Sequence, residues 1–148
     1  MRVSWSELNA CDGFADATKI PASVDLLFSD DAEARERGYW GIDNCAVLQS
    51  SLFSSAPYTA RLIVDRLIAS RMLTVEVLEI LYQLGDGYGP QLLEVGPLAG
   101  PTIEEATRSI VLEIEPLLRE ELRNEWPSKV CDLATELLNL FSSDRWQG

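Results

Sequence analysis

Three adjacent carboxylate pairs, Asp30-Asp31, Glu104-Glu105 and Glu120-Glu121, are the side chains closest in type to an acid–base catalyst. Such catalysis needs two carboxyl groups that face one substrate and hold separated pKa values. Neighbours on a helix diverge by about 100°, so none of these pairs converges. The first two stand where a helix should begin, and negative charge is favoured beside the free amides of a first turn. Serine, threonine and cysteine nucleophiles are present, but the chain has no histidine to take their proton. The only lysines, Lys19 and Lys129, show no spacing that suggests a serine–lysine dyad.

The run Gly85-Asp86-Gly87-Tyr88-Gly89 invites a phosphate-loop reading. Phosphate loops follow a strand, lead into a helix and usually carry a lysine. Here a helical pattern precedes, Asp86 is acidic and no lysine is near. Alternating oxygen ligands at calcium-loop spacing are missing too. A helix stop and turn remains, or a loop that touches a partner with Tyr88 as aromatic anchor. Cys11, Cys45 and Cys131 are odd in number, widely spaced and without a CxxC pair. They read as reduced, largely buried thiols, and no metal or cofactor is expected.

The formal charge is −12, with 47% hydrophobic residues. That balance repels phosphate, which argues against nucleic acid as a partner and for steering toward a basic protein. Glu113, Glu115, Glu120, Glu121 and Glu125 make one stretch densely negative, relieved by Arg119 and Arg123. It is either a solvated face or a steering surface. No apolar run approaches the roughly 20 residues of a membrane span. The opening residues lack an apolar signal core, so the expected location is cytoplasmic. The length suits one domain over residues 1–148.

Apolar spacing is helical throughout. Ser4-x-x-Glu7 has the form of a capping box opening a short helix with Trp5 and Leu8 inward, and Asp12-Gly13 stops it. Pro21 opens a second helix. Asp30 and Glu33 box a third, whose stripe of small residues runs through Ala34, Gly38, Gly41, Ile42, Cys45, Ala46 and Leu48. A stripe of that kind lets two helices approach closely. Helices follow at Pro57, Thr74 and Thr102-x-x-Glu105, a restart at Pro116, and a last helix at Pro127-Ser128. Between them residues 85–101 form a glycine- and proline-rich loop, expected to be the least rigid internal segment. The tail after Ser142 is expected to fray. Pro57 and Pro101 lie about 44 residues apart, inside the roughly 40–47-residue period of HEAT and armadillo repeats. A four-to-six-helix bundle competes with stacked pairs.

Three pieces carry a family resemblance. The first is Ser4-Trp5-Ser6-Glu7-Leu8 with Ile20-Pro21, Leu26-Leu27 and Ser29-Asp30-Asp31. The second is Tyr39-Trp40-Gly41-Ile42-Asp43-Asn44 with Gln49-Ser50-Ser51-Leu52-Phe53 and Ala56-Pro57-Tyr58. The third is Leu78-Glu79-Ile80-Leu81-Tyr82 leading into Gly85-Asp86-Gly87-Tyr88. Together, over roughly residues 4–90, they resemble the small bacterial HEAT-repeat-like proteins, some of which are immunity partners of polymorphic toxins. One departure stands out: a glycine often follows the position of Gln49, and Ser50 stands here.

The expectation is therefore an all-α fold, a short right-handed α-solenoid of HEAT-like helix pairs. The resemblance implies a non-catalytic protein that binds and neutralises a toxin, and charge suggests a basic nuclease. A general scaffold or adaptor, or an enzyme with a carboxylate site, are the alternatives. Candidate partner-binding residues are Tyr39, Asp43, Asn44, Asp86, Tyr88, Glu113, Glu120 and Glu121. Of Tyr39 and Trp40, one should face inward, and core packing is assigned to Trp40.

Overall fold

The computed structural model describes residues 2–147. A 3-10 turn (Trp5–Glu7) and short α1 (Phe14–Ala17) lead into α2 (Ile20–Leu27) and α3 (Ala32–Ile42). Strands β1 (Val47–Leu48) and β2 (Ser51–Leu52) follow, then α4 (Ser55–Ser70) and α5 (Val75–Gly85). After the loop come α6 (Ile103–Val111), α7 (Glu115–Glu121), α8 (Ser128–Phe141) and α9 (Asp144–Gln147). By their contacts α2, α4 and α6 succeed one another along one side, and α3, α5 and α8 along the other. The core between them is aliphatic, with Ile20, Leu27, Ile63, Leu67, Leu78, Leu81 and Leu84 fully buried. The chain is thus mainly helical, and among the described residues no helix is long and apolar enough to cross a membrane.

Helix starts divide by chemistry. Thr74 accepts from the Val77 amide at 3.3 Å and Thr102 from the Glu105 amide at 3.1 Å, as hydroxyl caps should. Ser4 makes no side-chain cap bond, and the cap of α3 is Asp31 instead of the expected Asp30, also without a side-chain cap bond. The Ser4 hydroxyl bonds Ser6 instead, and the Trp5–Glu7 turn is 3-10. Pro116 does force the expected restart: a 3-10 turn (Leu112–Ile114) separates α6 from α7. Beyond Ser142, where fraying was expected, the described chain forms α9, with Trp146 against Phe141 at 5.1 Å between ring centroids.

The stripe of small residues is helical only as far as Ile42. Asp43 is extended and Asn44 left-handed, with φ 64°. Cys45, Ala46 and Leu48 therefore belong to a turn and hairpin, not to the helix. The strands pair antiparallel, Val47 with Leu52 and Leu48 with Ser51. Their turn residues, Gln49 (φ 48°) and Ser50 (φ 70°), are both left-handed. Two-residue hairpins want that geometry, but they normally take it from Asn or Gly. Replacing Ser50 with glycine removes the side-chain penalty there. Ser50→Gly is expected to stabilise the protein by about 0.5–1 kcal/mol, read as a higher denaturant midpoint at unchanged slope.

Residues 85–101 are pinned at several points. The Tyr88 amide donates to the Ser50 carbonyl at 2.6 Å, and the Leu52 amide to the Tyr88 carbonyl at 2.8 Å. Further on, the Leu93 amide donates to Pro101 and the Ile103 amide to Gln91. Leu93 is buried, and the buried Tyr58 hydroxyl donates to the Val95 carbonyl at 2.6 Å and accepts the Leu98 amide at 3.0 Å. The loop is packed structure without regular helix.

Candidate protein-binding surface

The hairpin separates two hollows. On one side, a cleft of about 340 Å³ is lined by Asp43, Asn44, Val47, Gln49, Ser50, Tyr82, Gln83 and Asp86. Helix ends build it. Asp43 caps α3, its amide donating to the Tyr39 carbonyl at 2.8 Å, and the Asn44 amide donates to Val47 at 2.9 Å. Asp86 follows α5, its amide bonded to the Tyr82 carbonyl at 2.8 Å. The Tyr39 hydroxyl accepts the side-chain amide of Gln83, so Tyr39 stands behind the cleft. Three of the eight lining residues, Asn44, Gln49 and Ser50, hold left-handed backbone.

Burial pushes the Asp43 carboxyl above the usual range, partly opposed by an amide bond at Asn44. Its folded pKa thus exceeds its unfolded one, so its ionised form weakens the fold at neutral pH, and that cost fades as pH falls through the raised pKa. Asp43→Asn is expected to raise the melting temperature at pH 7 and to do so less as the medium is acidified. A gain that grows with acid would contradict the burial assignment.

On the other side lies a groove of about 570 Å³. Phe14 of α1 forms one wall, Tyr88, Pro90 and Leu92 of the loop another, and buried Leu52 and Ile103 lie at its base. Phe14, Tyr88 and Leu92 are 56%, 62% and 61% exposed, half of the six exposed large hydrophobics among the described residues. Tyr88 is nonetheless held firmly, because both of its backbone polar groups bond the hairpin. Glu7 and Glu94 also line the groove, and among the described residues no lysine or arginine lines either hollow.

The acidic stretch lies elsewhere and is largely engaged within the molecule. Arg61 of α4 holds Glu113 through two bonds, 2.8 and 2.7 Å, and also Asp65. The bond from Arg61 draws the Glu113 carboxyl below its usual pKa. Arg71, just past α4, bonds Glu121 at 3.0 and 3.2 Å and lies 3.3 Å from Glu120. Glu121 is 8% exposed, a buried acid neutralised by its partner and not a surface charge. Glu120 alone of the three is largely open, its side chain 68% exposed.

The structure thus gathers Asp43, Asn44 and Asp86 in one cleft, sets Tyr39 behind it and Tyr88 across the hairpin, and leaves the three glutamates apart. Trp40 is the outward member of its pair, 55% exposed and edge-on to Tyr39 at 5.1 Å; Tyr39 packs on the core. The sequence pattern did not point to Phe14, Leu92 or Glu94, and it gave Glu7 only as half of a capping box, not as a groove residue. An apolar residue in a loop with no helical partner, as Leu92 is, was the available signal. Cys11, Asp12 and Asp16 bring one ligand atom each within 4.8 Å of one another. The Asp16 carboxylate there already accepts the Asp12 amide at 3.2 Å and faces Lys19 at 3.9 Å. Burial and the two aspartates raise the Cys11 pKa, disfavouring the thiolate that binds metal. Compared with known protein families, curated proteins and solved structures, the chain matches none.

Proposed function

We propose that this chain is a non-catalytic protein-binding module, and that it covers and neutralises a basic toxic protein. One observation carries the reading: three of the six exposed large hydrophobics among the described residues share one groove, which Glu7 and Glu94 also line and no described lysine or arginine does, on a chain of charge −12. Apolar anchors supply affinity after docking, and the net charge supplies speed before it. The helix order α2–α4–α6 beside α3–α5–α8 supports a short solenoid of HEAT-like pairs as the scaffold, and its right-handed sense is part of the proposal. The toxin as partner follows from the resemblance of residues 4–90 to HEAT-like immunity proteins.

Co-expression with a basic toxic protein encoded beside this chain tests it. Growth should recover and the two proteins should co-purify. Unrelieved toxicity without a complex would overturn the neutralising role. In that complex the association rate is expected to fall several-fold between about 50 and 200 mM salt, since screening shortens the reach of the charge. A rate insensitive to salt would remove the basic partner from the reading.

A further inference from the structure

We infer that the groove between Phe14 and Tyr88–Leu92 receives an extended segment of the partner, in which a large apolar side chain is flanked by lysine or arginine. The inference rests on the proposed protein-binding role and names the chemistry of what binds.

Chemistry at the groove narrows its occupant. Phe14 comes from α1, and Tyr88 and Leu92 from the loop before α6, yet all three line one hollow above Leu52 and Ile103. Monomers seldom expose apolar clusters without use. A small molecule is a poor fit, because such sites enclose about 70–90% of the ligand, while the three wall residues here are each more than half exposed. A second copy is disfavoured: an isologous contact would set Glu7 and Glu94 against the same carboxylates of the other copy. Nucleic acid and anionic lipid bring phosphate against the same groups. A basic polypeptide meets none of these objections. Its apolar side chain covers Tyr88 and Leu92, and its cations face Glu7 and Glu94. A cation reaching over the hairpin would meet Asp43, whose ionised form is short of solvation in the cleft.

The anchors are preorganised. Tyr88 is clamped by Ser50 and Leu52, and Gly87 and Gly89 bring it close over Leu52, where an added Cβ at either position would collide with or crowd the Leu52 side chain. Ordering the groove on binding therefore costs little, which slows dissociation.

The test titrates the full chain with three short peptides while following amide NMR shifts. The first has Trp-Leu at its centre with Lys and Arg on both sides. The second keeps the cations and replaces Trp-Leu with Gly-Ser. The third keeps Trp-Leu and replaces the cations with Glu and Asp. Shifts around Phe14, Ser51–Ser54 and Tyr88–Leu92 are expected with the first alone. Leu92→Asp, at an exposed site, should leave the melting temperature near that of the parent and weaken the first peptide about tenfold or more. Trp40→Ala, remote in the lining of another hollow, should leave binding unchanged. Equal binding of the second or third peptide, shifts centred elsewhere, or full binding by Leu92→Asp would each overturn the inference. A whole toxic partner held equally by parent and Leu92→Asp would sink the groove but leave the neutralising role standing. Groove binding of the first peptide with no protective complex would do the reverse.

Discussion

Gly38→Ala is expected to destabilise the protein by about 2–4 kcal/mol, at the upper end of overpacking costs. Two effects oppose each other. Alanine favours a helix interior over glycine by up to about 1 kcal/mol. Against that, a Cβ on Gly38 would lie 2.5 Å from the Leu27 nitrogen and 2.6 Å from the Ser23 oxygen. Both are backbone atoms of α2, so no side chain can rotate away, and α2 and α3 would have to part. Parting them opens the packing of Leu27, Val24 and Ile42, all buried. Steric cost therefore wins. For a domain of this size the melting temperature should fall by about 5–15 °C. Gly41 supplies the contrast, since an added Cβ there meets only the Ser23 side chain; Gly41→Ala should cost clearly less. A Gly38→Ala protein melting at or above the parent would mean that the two helices do not approach as described.

That close approach was legible because its cause is local: small residues recur at helical spacing from Ala34 to Ile42. Continuing the same stripe to Leu48 misled, because composition does not show where a helix stops. The break is set by left-handed Asn44 and by a turn built from Gln49 and Ser50, residues that seldom take that conformation. The threonine caps at Thr74 and Thr102 were readable for the opposite reason, each needing only an amide three residues on. At the surface, Tyr88 could be picked out as an aromatic among glycines. Its neighbours in the groove could not, since Phe14 and Leu92 come to line one groove only through tertiary structure. The same holds for Glu113 and Arg61, which are 52 residues apart. Counting charge found the acidic stretch, but not the arginines of and just past α4 that engage it. Trp40 and Tyr39 show the finer limit. Helical phase places one inward, and only the packing of α3 on α5 decides which.

Tyr58→Phe and Gly96→Ala should each loosen the loop, and together they should cost less than the sum of the two. Tyr58 is 1% exposed, and its hydroxyl bridges the Val95 carbonyl and the Leu98 amide. Removing it strands two backbone groups beside a packed ring, a loss of about 1–3 kcal/mol. Gly96 has φ +83°, and a Cβ there would collide with the Tyr58 hydroxyl and lie 2.9 Å from its ring carbon Cζ. Left-handed strain of about 1–2 kcal/mol adds to that clash, so Gly96→Ala should lose about 2–3 kcal/mol. In the double variant the hydroxyl is gone, so part of the clash goes with it, while the backbone strain remains. A coupling of about 1 kcal/mol or more is expected from the cycle of denaturant midpoints. Amide exchange adds a spatial reading. Tyr58→Phe should speed exchange at Leu98 and Gly100, whose amides bond Tyr58 and Leu93, before it speeds exchange in α4. Tyr88 is clamped by Ser50 and Leu52, not by Tyr58, so its amide should keep its protection. If strict additivity were found, the hydroxyl would not be what crowds Gly96. If exchange instead rose equally across α4 and the loop, the pin at Tyr58 would belong to the global fold, and the Leu92 wall of the groove could not loosen without unfolding the helices beneath it.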